Sequence, residues 1–385
     1  MELAHIFRLY AQAYLEKYGL KMPSFHLRAF RDIMLCRTQA MGGKTFFCDH
    51  CQKYHYSYHS CGNRNCNKCQ NDLAQQWLEK AKQLLLPVSH FLLTFTLPAE
   101  FRTFARKMQK LFYSLLLKTA AEALQTLAND PKFVGGKLGI LAVLHTWRRD
   151  LSYHPHVHMV VPGGGISKNK NLWLPAQNKF LVPVRALSPI LRAKFRDALE
   201  KENPDIFALI PQTVWRKNWV IHCKPVGNGQ AVLKYLAQYI FRPAISNNRI
   251  LKCEDDRVTF KYQDAKSKTW KIRTLPAMDF ISAYLQHALP KGFVKVRYYG
   301  FLAHKHRETL AMLRTQLATH EQYQPDIEPE PKEKIISCPT CGKPLRFVKE
   351  IRRGEQWINA PPDPLTITMY TMLEKVLRSR KIRFS

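Results

Sequence analysis

Three groups of residues in this sequence have the types and spacing to do chemistry. The first is Leu151-Ser-Tyr-His-Pro-His-Val-His-Met-Val-Val-Pro-Gly-Gly-Gly165, where His154, His156 and His158 alternate with Pro155, Val157 and Met159. Successive side chains of a β-strand point to opposite faces, so a strand here carries three imidazoles on one face and apolar groups on the other. Neutral imidazole is the commonest protein metal ligand, and histidines two apart on one strand can share a divalent ion. A polar strand face with ordinary histidines is the plain alternative. The second group is Tyr235-Leu-Ala-Gln-Tyr239. It lies in a run over 230–242 whose Val232, Leu233, Leu236 and Ile240 recur at helical spacing. Lys234, Tyr235, Gln238, Tyr239 and Arg242 fall on the other side of that helix, with the two tyrosines about 5–6 Å apart at Cβ. Tyrosines half-buried for packing would have the same spacing. The third group is Cys48-x-x-Cys51 and Cys66-x-x-Cys69, separated by 14 residues, which suits one tetrahedral Cys₄ zinc site.

The first two groups suggest one reaction. A phenol, with a pKa of about 10, is a poor nucleophile at neutral pH. A divalent ion held by imidazoles polarises a scissile phosphate and stabilises its transition state. A tyrosinate can then attack and hold the DNA as a covalent phosphotyrosine. The phosphodiester energy is conserved, so rejoining needs no ATP. Two adjacent tyrosines permit two linked transesterifications.

The elements around these groups must position them. Residues 138–147 read as a strand, and a turn near Arg149–Ser152 folds it back on the histidine strand. His145 then lies opposite His156 and His158 and is the choice for a third ligand, with His154 its rival; a buried, hydrogen-bonded histidine is the alternative for either. Pro162-Gly-Gly-Gly165 ends the strand. Helical spacing is expected over 1–35, 71–87, 99–129, 185–202, 277–289 and 304–318. Strands are expected at 90–97 and 214–223, with a hairpin formed by 257–262 and 269–275. The division this suggests is a helical and zinc-binding DNA-recognition domain over 1–88, a catalytic domain over 89–320, and a third region over 321–385. That last region contains an acidic Pro-rich linker at 324–331, the knuckle Cys338-Pro-Thr-Cys341 and a basic tail at 378–383. No fourth cysteine pair follows this knuckle, so it reads either as a metal site or as a metal-free turn.

The chain has 385 residues, 46% of them apolar, with 60 Lys+Arg against 29 Asp+Glu and a net charge of +31. The excess is spread along the chain, which points to a polyanionic partner, most simply nucleic acid. Around the first two knuckles, Lys53 and Arg64 interleave with Tyr54, His55, Tyr56 and Tyr58, which suits phosphate contact and base stacking. A zinc module that only staples a small domain is the alternative. Cys36, His50, His55, His59 and Cys61 leave a second ion or a substituted ligand open. No apolar run approaches membrane-spanning length and no signal peptide is evident. The ten cysteines therefore read as metal ligands and buried thiols of a cytoplasmic, DNA-associated protein rather than as a disulfide framework. Met41-Gly-Gly-Lys-Thr45 lacks the glycine that a phosphate loop needs five residues before Gly-Lys, and Thr38 stands there. With no motor motif, dependence on a host helicase is expected.

His156-Val157-His158 resembles the His-hydrophobic-His motif of HUH endonucleases. The whole chain is similar to the rolling-circle transposases of the insertion-sequence-91 family. The likeness runs in order through Cys48–Gln70, which ends Cys-Gly-Asn-Arg-Asn-Cys-Asn-Lys-Cys-Gln, then Leu144-His-Thr-Trp147, the histidine strand, Tyr235-Leu-Ala-Gln-Tyr-Ile-Phe-Arg-Pro-Ala-Ile-Ser-Asn247 and Val296-Arg-Tyr-Tyr-Gly-Phe-Leu302. The resemblance implies an α+β fold with an HUH-type antiparallel sheet flanked by helices, preceded by a small Cys₄ zinc-binding domain. It implies nicking of single-stranded DNA at transposon ends with Mg²⁺ or Mn²⁺. In that reading His156 and His158 are metal ligands and Tyr235 and Tyr239 are nucleophiles. A relaxase or plasmid replication initiator with the same chemistry, and a non-catalytic zinc-dependent DNA-binding protein, are the other readings.

Overall fold

The computed structural model describes residues 1–69, 71–168, 172–177, 180–241, 244–317 and 336–355, with Trp357 and Ala360. In chain order the elements begin with helices α1 (Leu3–Leu9), α2 (Ala11–Tyr18) and α3 (Ser24–Leu35), strands β1 (Gly43–Cys48) and β2 (Lys53–Tyr58), and α4 (Asn71–Lys82). There follow β3 (His90–Thr96), α5 (Arg102–Lys107), α6 (Gln109–Ala128), β4 (Gly139–Trp147), β5 (Tyr153–Pro162), β6 (Gly164–Ile166) and β7 (Trp173–Pro175). Next come α7 (Val184–Glu202), α8 (Pro204–Ala208), β8 (Ile221–Pro225), α9 (Gln230–Phe241), β9 (Ile250–Glu254), β10 (Arg257–Gln263) and β11 (Trp270–Pro276). The last are α10 (Ala277–Leu285), β12 (Val296–Gly300), α11 (Arg307–Leu317) and β13 (Arg346–Ile351).

The fold is α+β, with antiparallel sheets flanked by helices, and the chain divides into two units that are not consecutive segments. One draws on Met1–Gln70, Ile245–Ala288 and Tyr323–Ser385; the other on Asn71–Ala244 and Leu289–Gln322. This departs from the expected division at 88 and 320. β13 pairs with β1, which brings the third cysteine knuckle into the unit that holds the first two. In the same unit α10 belongs with the N-terminal helices: Tyr14 hydrogen-bonds Ser282 through its hydroxyl, and Phe7 stacks on Phe30 and meets Tyr284 edge-on. The acidic linker and the basic tail lie outside the described residues. Among the described residues no helix is long and apolar enough to cross a membrane.

The second unit is built on a five-stranded antiparallel sheet in the order β12-β4-β5-β3-β8, with the histidine strand β5 at its centre. The two-residue period sorts its side chains. Leu93, Phe95, Ala142, Leu144, Val157 and Met159 face a core that includes Phe112 and Leu116 of α6 and Leu191 and Phe195 of α7. Leu92, Leu141, Val143 and Val160 face the other way, into a cluster with Val232, Leu233, Leu236 and Ile240 of α9 and Ala81 of α4. Both faces of β4 and β5 are covered, so these strands are buried along nearly their whole length, apolar except where the histidines and Thr146 stand. His145, His156 and His158 continue the α9-facing rows of these strands.

Several expected elements take a different form. The 1–35 run is three helices, the third entered through Pro23. The 99–129 run begins with a short 3₁₀ turn and breaks at Met108, whose φ of −123° and ψ of 51° leave the helical region. The strand expected at 214–223 is a 3₁₀ turn at Gln212–Trp215 followed by β8. There Trp215 and Trp219 both pack on Phe101, and the Trp219 indole N–H donates to the Val214 carbonyl.

Candidate active site and cysteine centres

The β4–β5 hairpin assembles the histidines. Its turn is closed by Arg148 N–H donating to the Ser152 carbonyl, and the Asp150 carboxylate accepts from the backbone and hydroxyl of Ser152. Leu151 takes the left-handed conformation at φ 67°, uncommon for a branched residue. Its side chain is fully buried, which holds the turn in that shape. The register then places His145 opposite His156 and Val143 opposite His158. His145 Nδ1 lies 2.9 Å from His156 Nε2, and His156 Nε2 lies 3.1 Å from His158 Nε2.

The other side of two of these rings fixes which nitrogen faces inward. His156 Nδ1 lies 2.7 Å from the His154 carbonyl, which can only accept. Nδ1 therefore carries the proton, and in the neutral ring Nε2 presents a lone pair. His158 Nδ1 is 3.0 Å from the hydroxyl of Thr94, directly across on β3, and the matching assignment leaves its Nε2 bare. Burial holds the His156 pKa down to about 4, and Arg148 adds to this; burial, then His156, pushes His158 well below the usual histidine range. His156 and His158 are thus neutral at physiological pH, and the ligand atoms of His145, His156 and His158 lie within 4.8 Å of one another, as a cation site requires. The same pattern of outward N–H bonds orients imidazole ligands around metals in general.

His154 shares the strand face but not the cluster. Its ring is 5.2 Å from that of His156, and its Nδ1 approaches Arg102 at 3.5 Å. Burial, then His156, Arg148 and Arg102, lowers its pKa to about 3. Of the two rivals, the structure groups His145 with His156 and His158. Arg102 and Arg148 therefore place positive charge beside the histidines, and Arg106 lies over the Tyr153 ring at 4.7 Å. No periodic signal in the sequence links Thr94, Arg102 and Arg148, because they come from β3, α5 and the hairpin turn.

α9 lies across this face on its apolar side, and Tyr235 projects from it half-exposed. Its ring centroid is 6.2 Å from that of His158, nearly perpendicular. Lys234, on the same helix, is exposed. Tyr239 and Gln238 are on the helix backbone, but their side chains, like all of Arg242, lie outside the described residues.

Eight of the ten cysteines form two groups, not the expected quartet of Cys48, Cys51, Cys66 and Cys69. Cys66 and Cys69 join Cys36 and Cys61; Cys48 and Cys51 join Cys338 and Cys341. The reason lies in the elements. Cys36 directly follows α3, and the loop carrying Cys61, Cys66 and Cys69 is tied down beside it. Asn63 donates to buried Asp32 of α3, which also pairs with Arg31, and the Tyr284 hydroxyl donates to the Asn65 carbonyl. The sulfur of Cys69 is 3.3 Å from that of Cys36 and 3.6 Å from that of Cys61. A disulfide would need about 2.05 Å; thiolates about 2.3 Å from a tetrahedral ion sit roughly 3.8 Å apart. These thiols fit a zinc ion.

Lys53 is exposed at the start of β2, whereas Arg64 is half-buried in the Cys61–Cys66 loop, where burial lowers its pKa. Part of the aromatic stripe is used internally: Tyr54 packs on Phe47, and Tyr56 and Tyr58 pack on Trp357.

Comparison with known proteins gives two family matches. Residues 139–309 match a family model described as "Putative transposase", and residues 6–97 match one described as "Transposase zinc-binding domain". The second match and the thiol cluster within its span support structural zinc. The chain is 35% identical to "Putative transposase y4qJ" of Sinorhizobium fredii over 94% of this chain and 97% of that one. It is 28% identical to "Transposase for insertion sequence element IS801" of Pseudomonas savastanoi pv. phaseolicola, over 76% of this chain and 73% of that one. No solved structure matches.

Proposed function

Because the chain belongs to the insertion-sequence-91 family of transposases, we propose that it nicks and rejoins single-stranded DNA at insertion-sequence ends through a covalent 5′-phosphotyrosine. Family membership makes it a transposase, with DNA as its substrate and DNA strand transfer as its activity. The mechanism is our reading. The observation that carries it is the convergence of His145 Nδ1, His156 Nε2 and His158 Nε2 in the centre of the sheet, with the Tyr235 ring against His158.

In this reading the three imidazoles hold Mg²⁺ or Mn²⁺, which supplies electrostatic stabilisation of the charge that develops on the phosphate. The chain's own groups do the rest. His156 and His158 keep their inward nitrogens deprotonated by donating outward to the His154 carbonyl and Thr94. The Tyr235 phenolic oxygen attacks phosphorus; the new bond joins it to phosphorus, the P–O3′ bond breaks, and the phenolic proton passes through solvent to the 3′ oxygen, which leaves as a hydroxyl. Arg102 and Arg148 add positive charge where DNA phosphates approach. Tyr239, one helical turn from Tyr235, takes the second strand, so that cleavage and rejoining are linked without ATP. Duplex opening falls to a host helicase. A relaxase or plasmid initiator would run the same chemistry, but similarity to an insertion-sequence transposase over three-quarters of the chain favours element ends.

The test is a labelled single-stranded oligonucleotide carrying the element's end, incubated with protein and Mn²⁺ or Mg²⁺ and run on a denaturing gel. A metal-dependent protein–DNA adduct is expected, lost in the Tyr235→Phe/Tyr239→Phe double variant and in His156→Ala. Tight zinc-dependent binding with no adduct under any metal would replace this reading with a non-catalytic one.

A further inference from the structure

We propose that Cys48, Cys51, Cys338 and Cys341 form a second tetrathiolate zinc site, a zinc ribbon whose two halves come from opposite ends of the chain. The matched zinc-binding region ends at residue 97, so half of this ligand set lies outside it.

Three kinds of observation point to an ion rather than to chance proximity. The ligand atoms of all four cysteines lie within 4.8 Å of one another, and the Cys48 and Cys341 sulfurs are 3.6 Å apart. That is too far for a disulfide and close to the edge of a tetrahedron of thiolates about 2.3 Å from zinc. Next, the two knuckles share a construction. In the first, Cys51 N–H donates to Cys48 Sγ at 3.4 Å, and the following residue, Gln52, turns at φ 53°. In the second, Gly342, following Cys341, turns at φ 72°, and its N–H donates to the Cys338 carbonyl at 2.8 Å. A left-handed residue after the second cysteine lets each short loop fold its two sulfurs toward one point. Gln52 adopts that conformation without being glycine. Last, His55 Nε2 lies 3.4 Å from the Cys338 sulfur, where an imidazole N–H can donate to a thiolate that already serves an ion.

The backbone supports the same closure. β13 pairs with β1 from Gly43–Ile351 to Phe47–Arg346, giving a three-stranded sheet in the order β13-β1-β2. Phe46 meets Phe347 edge-on, Arg346 lies over the Phe47 ring and pairs with Asp49, and His59 approaches Glu350 at 3.2 Å. Strand and knuckle therefore arrive together. Four soft thiolates in a closed set select zinc over hard cations, and closed four-ligand sites are structural. The segment around 338–351 is thus a working half of the N-terminal module.

Metal counting on the full chain purified in reductant tests this. Elemental analysis should find two zinc ions per wild-type chain. The Cys338→Ser/Cys341→Ser double variant should hold one, and Cys61→Ser/Cys66→Ser should also hold one. Cys341→His keeps a four-ligand zinc set and should retain two, which guards against a serine variant that fails to fold. After exchange, cobalt should give tetrathiolate absorption that falls by half in each serine variant. One zinc ion in the wild-type chain, two in Cys338→Ser/Cys341→Ser, or iron in place of zinc would each overturn the proposal. So would a Cys48–Cys341 or Cys51–Cys338 disulfide detected by mass spectrometry.

Discussion

Thr94→Val is the sharpest probe of the histidine cluster, because it leaves every ligand atom in place. Thr94 sits across from His158 on β3, and its hydroxyl is 3.0 Å from His158 Nδ1. Valine has nearly the same shape but cannot accept a hydrogen bond. His158 is 7% exposed, so water does not readily replace the lost partner. An unsatisfied buried donor costs about 1–3 kcal/mol, and about 1.4 kcal/mol is a factor of ten. The cost falls on the conformer that holds Nδ1–H outward and Nε2 inward. The metal concentration for half-maximal adduct formation should therefore rise roughly 10–100-fold, the range found for outer-shell partners of metal-bound histidines. The assay is the oligonucleotide adduct gel across a Mn²⁺ series, with a melting curve to confirm that the variant is folded. At saturating Mn²⁺ the rate should recover toward wild type, since nothing that touches the phosphate has changed. An unchanged half-saturating concentration would show that Thr94 does not orient the ligand. A rate loss that no Mn²⁺ restores would show that it acts on something other than metal binding.

Three other predictions follow from the same geometry. His145→Ala should abolish the metal-dependent adduct while His154→Ala keeps most of it, because the His154 ring stands outside the converging trio beside Arg102; the opposite ranking on the gel would assign the third ligand to the histidine strand rather than to its hairpin partner. Leu236→Ala empties a fully buried position of α9 against Leu141, Val143 and Val160, so urea unfolding should show a loss of about 2–5 kcal/mol, with adduct yield falling too because the same helix carries Tyr235. A wild-type urea midpoint would mean α9 does not pack as described. Burial lowers His26, His90 and His156 to about 4, so as pH falls from about 6.5 the unfolded chain takes up protons that the folded chain refuses. Their stability contribution is complete above about 6.5 and is lost on the way down to 4, roughly 2 kcal/mol per group by pH 5. Equal urea midpoints at pH 7.5 and pH 5 would contradict it.

What the sequence conveyed and what it withheld divide along a physical line. The histidine face, the hairpin that sets His145 against His156, and the apolar side of α9 were all legible, because each depends on a period of two or 3.6 within one stretch or across one turn. Cysteine pairing was not. A Cys-x-x-Cys spacing says that two sulfurs can meet one ion but carries nothing about which second pair completes the set. Two knuckles close in sequence therefore looked like partners, while Cys36 and the Cys338–Cys341 knuckle had no assigned partners. The true grouping is decided by β13 pairing with β1 and by Asp32 and Tyr284 anchoring the Cys61–Cys66 loop. These are contacts between residues far apart in the chain, invisible to local pattern. The interleaving of the two units has the same origin: Ile245–Ala288 sits between two segments of the other unit, so no composition shift marks its edges. Thr94, Arg102 and Arg148 were missed because no spacing links them. They matter only once β3, α5 and the hairpin turn are in place, and by then the ligands themselves are already fixed. In this chain, local periodicity identifies the candidate groups, whereas long-range pairing determines what surrounds them.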